Sequence, residues 1–162
     1  PVFTLLGGVL DPHAAFLIQR GLKTYAMRYT AQSASALRIA RFLERQSGVR
    51  RVYYPGLENH PRHALAAAQM REWGAVVSFD LEGGAAAGQR FAEALQLFAL
   101  TASLGATDSL VLPPQLLTTR GLTPGQLALT GVGPGTVRLA IGLEDGDDLL
   151  ADIGQALAAA TG

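Results

Sequence analysis

Apolar residues recur at helical spacing through the first third of the chain and then alternate between helical and strand spacing. Asp11-Pro12 reads as an N-cap followed by proline at the first helical position, with Gly21 as the stop, which predicts a short helix over 12–20. Thr24 can cap a second helix reaching Gln46. Its apolar positions Ala36, Ile39, Ala40 and Leu43 share a stripe, while Arg38, Arg41 and Arg45 lie elsewhere on the barrel, and Ser47-Gly48 ends it. Val49 to Tyr54 is β-branched and aromatic, hence a strand, closed by the Pro55-Gly56 turn. Pro61 opens a helix predicted to run to Trp73, with Gly74 as its stop.

From Ala75 the period becomes two: Ala75, Val77, Phe79 and Leu81 face one way, and Val76, Ser78 and Asp80 the other. Gly83-Gly84 turns the chain into a helix with Ala87, Phe91, Ala94, Leu95 and Phe98 on its buried stripe. A strand over Leu110 to Leu112 runs into Pro113-Pro114, and Thr123-Pro124 begins another short helix. Thr136 to Leu143 alternates with Val137, Leu139, Ile141 and Leu143 on the core face. The last helix opens with Asp145, Asp147 and Asp148, which suit the positive end of its dipole, and buries Leu149, Leu150, Ile153, Ala156 and Leu157. One apolar face per strand predicts an α+β two-layer sandwich, an antiparallel-rich sheet with helices on one face. No repeat, low-complexity segment or interdomain linker interrupts it.

At 162 residues and 49% hydrophobic, the chain has length and core for one domain. Thirteen basic residues balance thirteen acidic ones, which argues against nucleic acid and anionic lipid as partners. Lys23 is the sole lysine, the other basic residues being arginines. With no cysteine there is neither disulfide nor thiol chemistry, and the apolar runs are too short to span a bilayer. The start, Pro1-Val2-Phe3-Thr4, lacks the basic region of a signal peptide and suggests a processed or excised piece, with the cytoplasm as the expected location.

Candidate chemistry centres on Arg138. With Val137, Leu139 and Ile141 facing the core, Arg138 points to the other face, flanked two residues away by the small Thr136 and Ala140. A guanidinium with room above it is a fork of donors that fits a carboxylate bidentately. The competing reading is an arginine snorkelling on a solvated face or paired with Glu144 or Asp145. Ser103-Leu104-Gly105 could offer a hydroxyl and backbone amides to the same anion, although turn-forming serines are common. His60 and His63 have an i, i+3 spacing without a matching third ligand, and His13 reads as a surface residue, so no metal is expected. Gly131 to Gly135 precedes a strand rather than a helix and reads as a turn, not a phosphate loop.

Longer motifs are more specific. Gly8-Val9-Leu10-Asp11-Pro12-His13-Ala14-Ala15-Phe16 with Arg20-Gly21-Leu22-Lys23-Thr24, then Tyr53-Tyr54-Pro55-Gly56-Leu57 with His60-Pro61 and His63, resemble stretches of the Cys/Met-metabolism (transsulfuration) enzymes. So do Val77-Ser78-Phe79, Ser103-Leu104-Gly105 with Ser109-Leu110, and Val137-Arg138-Leu139 through Gly142-Leu143-Glu144-Asp145. The order holds from about Gly7 to Leu157. This family comprises cystathionine γ-synthase, cystathionine and methionine lyases and O-acylhomoserine sulfhydrylases.

The resemblance implies the C-terminal domain of a fold-type I pyridoxal-phosphate enzyme, with 1–46 as connecting helices, 47–162 as the substrate-recognising domain, and the cofactor-binding domain absent from the chain. It implies that Arg138 binds the substrate α-carboxylate beside Ser103, and that Thr101 faces the substrate side chain, with Leu104 and Thr118 also contacting substrate. Pyridoxal 5'-phosphate would serve the full-length parent, held through a lysine in an upstream Ser-x-Thr-Lys segment that this chain lacks; Lys23 belongs to a different motif. No cofactor is then held by the chain alone, which is expected to be inactive. The expected partners are a sulfur-containing or activated homoserine-type amino acid and, for the parent, further copies in a tetramer. Two departures stand out: the family's Thr-His pair reads Thr118-Thr119, and its Ser-Val-Gly reads Ala140-Ile141-Gly142. The alternative is a stand-alone amino-acid-binding or regulatory module without catalysis; a purely structural domain would explain the composition but not the motif order.

Overall fold

A computed structural model describes residues 7–113 and 122–161. Asp11 caps the first helix, α1 (Pro12–Leu22), its Oδ1 accepting from the backbone of His13 at 2.9 Å and Ala14 at 3.2 Å. The helix runs through Gly21 instead of stopping there. Nothing in α1 is buried, and Phe16, Leu17, Ile18 and Leu22 are all more than half exposed. Helix α2 (Tyr25–Leu43) does bury its predicted stripe of Ala36, Ile39, Ala40 and Leu43.

After β1 (Val49–Tyr53) comes α3, which spans only His63–Gln69 and not 61–73. Met70 is extended (φ −112°, ψ 138°), and the chain doubles back so that Trp73 stacks on His63 with ring centroids 5.0 Å apart and donates its backbone N–H to Ser33 Oγ at 3.1 Å. A continued helix would carry Trp73 away from both. Next come β2 (Val76–Leu81) and α4 (Gly84–Ala94). Leu95 is already extended, so Phe98 is buried from outside the helix and not on its stripe.

Strand β3 (Ala99–Leu100) has two exposed residues and no alternation to announce it. It is followed by β4 (Leu110–Leu112), α5 (Pro124–Thr130), β5 (Thr136–Ala140) and α6 (Gly146–Thr161). The predicted strand 136–143 ends at Ala140. Beyond it the Gly142 N–H turns to Ser109 Oγ (2.8 Å), and Leu143, expected on the core face, is 40% exposed. Asp145 caps α6 through the backbone N–H groups of Asp147 at 2.8 Å and Asp148 at 3.4 Å.

The five strands form one mixed sheet in the order β1-β2-β5-β4-β3. The β1–β2, β2–β5 and β5–β4 pairs are antiparallel, and β3–β4 is parallel. One sheet face, with Val77, Phe79, Leu81, Val137, Leu139 and Ile141, shares a core with α2, α4 and α6, and Phe79 meets Phe91 edge-on at 5.3 Å. The other face carries Asp80, Thr136, Ser78 and Arg138. Among the described residues, no helix is long and apolar enough to cross a membrane.

Candidate functional site

Arg138 sits mid-strand on β5, opposite Ser78 of β2 and Leu112 of β4. These cross-strand neighbours are invisible to sequence spacing, which counts only positions two apart on the same strand. Leu112 is buried and supplies an apolar wall, while Ser78 keeps the other side low. Arg138 is half-buried. Its Nη2 donates to the backbone carbonyl of Ser103 at 2.8 Å, so the contact with Ser103 is through main chain, not the hydroxyl. Its Nε is buried and has no hydrogen-bond partner among the described residues. Glu144 and Asp145 do not pair with it: Glu144 binds Ser109 instead.

Ser103 lies in the loop between β3 and β4 with φ 141°, a backbone region that non-glycine residues rarely occupy. Thr101 opens that loop; its N–H donates to Val111 O at 3.3 Å and its hydroxyl to Ala102 O at 3.3 Å. Leu104 is 58% exposed and borders a cavity of about 350 Å³ lined also by Tyr25, Arg28, Tyr29 and Trp73. Thr118 falls outside the described residues. The structure thus brings Arg138 against Ser103, with Leu104 one residue further along the loop.

A second polar cluster shares this sheet face. Asp80, 4% exposed, accepts from Tyr53 Oη at 2.7 Å and from Thr136 Oγ1, and pairs with Arg50 at 3.3 Å. Burial first, then the hydrogen bond and charge of Asp80, push the Tyr53 phenol above its usual range. The 131–135 turn docks here, Gly133 N–H donating to Thr136 Oγ1 at 2.8 Å.

The histidines do not converge. His60 Nδ1 accepts from the Arg62 backbone at 3.2 Å, and His63 Nδ1 shares a hydrogen bond with the Pro55 carbonyl at 2.8 Å. Among the described residues, no group of three or more His, Cys, Asp or Glu could hold a metal ion. Lys23 is exposed in the turn after α1.

The chain is thus a five-stranded mixed sheet with helices α2, α4 and α6 on one face and Arg138 on the other. Residues 2–158 match the Cys/Met metabolism PLP-dependent enzymes, and the chain belongs to that family. It is 46% identical over 155 residues to L-methionine γ-lyase of Pseudomonas putida, covering 96% of this chain and 39% of that protein. It is likewise 46% identical over 153 residues to O-succinylhomoserine sulfhydrylase of Pseudomonas aeruginosa, covering 94% and 38%. The solved structure of cystathionine γ-lyase from yeast superposes with a TM-score of 0.92 at 40% identity, over 97% of this chain and 41% of that one. The chain spans about two fifths of the length of the curated relatives it matches.

Proposed function

We propose that this chain is the C-terminal, substrate-recognising part of a pyridoxal-phosphate-dependent lyase or γ-replacement enzyme for sulfur-containing or activated homoserine-type amino acids. Its own task is to bind the substrate α-carboxylate through Arg138. The observation that carries this is the Arg138 Nε, buried without an acceptor among the described residues while Nη2 is tied to Ser103. A buried unsatisfied donor costs about 1–3 kcal/mol, a cost that an arriving carboxylate relieves. The Ser103 carbonyl fixes the plane of the fork, so the anion meets preformed donors and little side-chain entropy is lost on binding.

Thr101, Leu104 and Thr118 would face the rest of the substrate and influence which side chain is accepted. Pyridoxal 5'-phosphate, when bound, supplies an electron sink for the substrate carbanion. The single lysine here, Lys23, is exposed, which fits a cofactor held by the remaining length of a cytoplasmic, tetrameric parent and a chain that is inactive by itself. In this reading residues 1–46 connect to that remainder and residues 47–162 form the recognition domain. The names of the relatives include both a lyase and a sulfhydrylase, so either elimination or replacement is compatible.

The test is Arg138→Ala in the intact enzyme. Loss of a desolvated bidentate contact should lower kcat/KM by the equivalent of about 2–5 kcal/mol. An unchanged kcat/KM removes Arg138 from the site. For the chain alone, added pyridoxal phosphate and methionine should yield no turnover, and measurable turnover would overturn the division of labour.

A further inference from the structure

Residues 101–108 are all exposed, and Ser103 and Gly105 have φ 141° and 80°. An exposed loop with that backbone is expected to be among the easiest parts of a domain to displace. Yet it carries the carbonyl that holds Arg138.

Its far end is fastened by the buried Gln32 and Ser109 and the half-buried Glu144. Gln32 of α2, 6% exposed, uses its amide to donate to Ala106 O at 2.7 Å and to Ile141 O at 2.9 Å. Glu144 accepts from the Ser109 backbone at 2.6 Å and from the Ser109 hydroxyl at 2.8 Å. The same Ser109 hydroxyl, fully buried, accepts from Gly142 N–H at 2.8 Å, and Leu143 N–H donates to Thr107 O at 2.7 Å. Each tie joins the loop or its exit to residues 141–144, the continuation of the strand that carries Arg138. Donor and acceptor of the Arg138–Ser103 bond are therefore bolted to one another from behind.

We propose that Gln32, Ser109 and Glu144 are positioning residues: without touching substrate, they hold the Ser103 carbonyl where it orients the Arg138 fork for a carboxylate. This rests on the assignment of Arg138 as the carboxylate-binding group. Release of either tie lets the loop drift, so the fork is no longer preorganised for the carboxylate and the cost falls on binding.

The test uses the full-length enzyme, with L-norleucine as a non-reacting amino acid and pentylamine as the same skeleton without its carboxylate. Glu144→Ala and Gln32→Ala should each raise KM and the norleucine inhibition constant about tenfold, change kcat by less than about threefold, and leave pentylamine within about twofold. Glu144→Gln keeps an acceptor for the Ser109 N–H and should recover most of the loss. If Glu144→Ala does not accumulate folded, Glu144→Asp, one methylene shorter, withdraws the same acceptors and should give the same split. Equal weakening of norleucine and pentylamine, or weakening of neither, overturns the proposal. Arg138→Ala run in parallel separates the two ideas. If it leaves norleucine unaffected, the carboxylate assignment itself fails; if it weakens norleucine while the Gln32 and Glu144 variants do not, only the positioning role fails.

Discussion

Asp80 and Arg138 stand on the same sheet face, Asp80 opposite Thr136 and Ser78 opposite Arg138, two rungs apart on the β2–β5 ladder with the Phe79–Val137 pair between them facing the core. Both are charged side chains drawn into the protein, and they are treated in opposite ways. Asp80 is closed: Tyr53, Thr136 and Arg50 supply donors to its carboxylate. Arg138 is open, with one nitrogen engaged and another buried without an acceptor among the described residues. A charge whose hydrogen bonds are met inside the fold is fixed by the fold, whereas one left half-met still has capacity for a partner that arrives later. On the proposed assignment of Arg138, the difference separates structure from recognition on a single surface.

The contrast is sharpest when the two are removed. Arg138→Ala should reduce kcat/KM by the equivalent of about 2–5 kcal/mol with little change in melting temperature, since the side chain is only half-buried. Asp80→Ala should do the reverse. It orphans the hydroxyls of Tyr53 and Thr136, costing about 2–3 kcal/mol of stability, or roughly 5–10 °C in a chain of this size. Activity per folded molecule should stay near the parent value. Calorimetry and steady-state kinetics on both variants would erase the distinction if Asp80→Ala proved as deleterious to kcat/KM as Arg138→Ala.

Gly142 tests the boundary between the two kinds of site. A Cβ there would collide with the Thr107 carbonyl oxygen and the Glu144 carboxylate and lie 2.6 Å from the Ser109 nitrogen. Backbone atoms cannot move aside as a flexible side chain can. Gly142→Ala should therefore cost about 1–3 kcal/mol in stability and also raise KM, because the strain falls on the loop that holds Arg138. A stability loss without any rise in KM would place the loop on the structural side of the comparison.

Much of this was legible from residues alone. The alternation of Val137, Leu139 and Ile141 dictated that Arg138 points off the core, and the Asp11 cap and the acidic run Asp145, Asp147 and Asp148 marked two helix starts. The parts that escaped are those set by tertiary partners. Helix α3 stops at Gln69 because Trp73 has ring and hydrogen-bond partners behind it. The short parallel strand β3 has no pattern of its own. Leu112 and Ser78 meet Arg138 across strands, and the sheet order that brings them there is not a sequence-local property. Nearness in sequence makes Glu144 a candidate partner for Arg138, whereas Ser109, 35 positions away, is the group it binds.

The smallest effect concerns a third polar group on the closed side. Tyr54 follows β1 directly, is fully buried, and donates its hydroxyl to Gly74 O at 2.8 Å. Tyr54→Phe removes that bond and should cost about 1 kcal/mol at neutral pH. Burial pushes the phenol up to about 12 in the folded chain, while an unfolded tyrosine titrates near 10. Below pH 10 both states keep the proton and Tyr54 contributes fully. Between about 10 and 12 the unfolded state loses its proton first, so the stability that Tyr54 contributes declines as pH rises through this window. Tyr53 shifts in the same direction, so the variant should show a shallower alkaline decline, not a flat one. Urea midpoints at pH 8, 10 and 11 should therefore converge for parent and Tyr54→Phe. Curves that stay parallel would mean that the Tyr54 hydroxyl is as well solvated as an open site, and Tyr54 would no longer belong with Asp80.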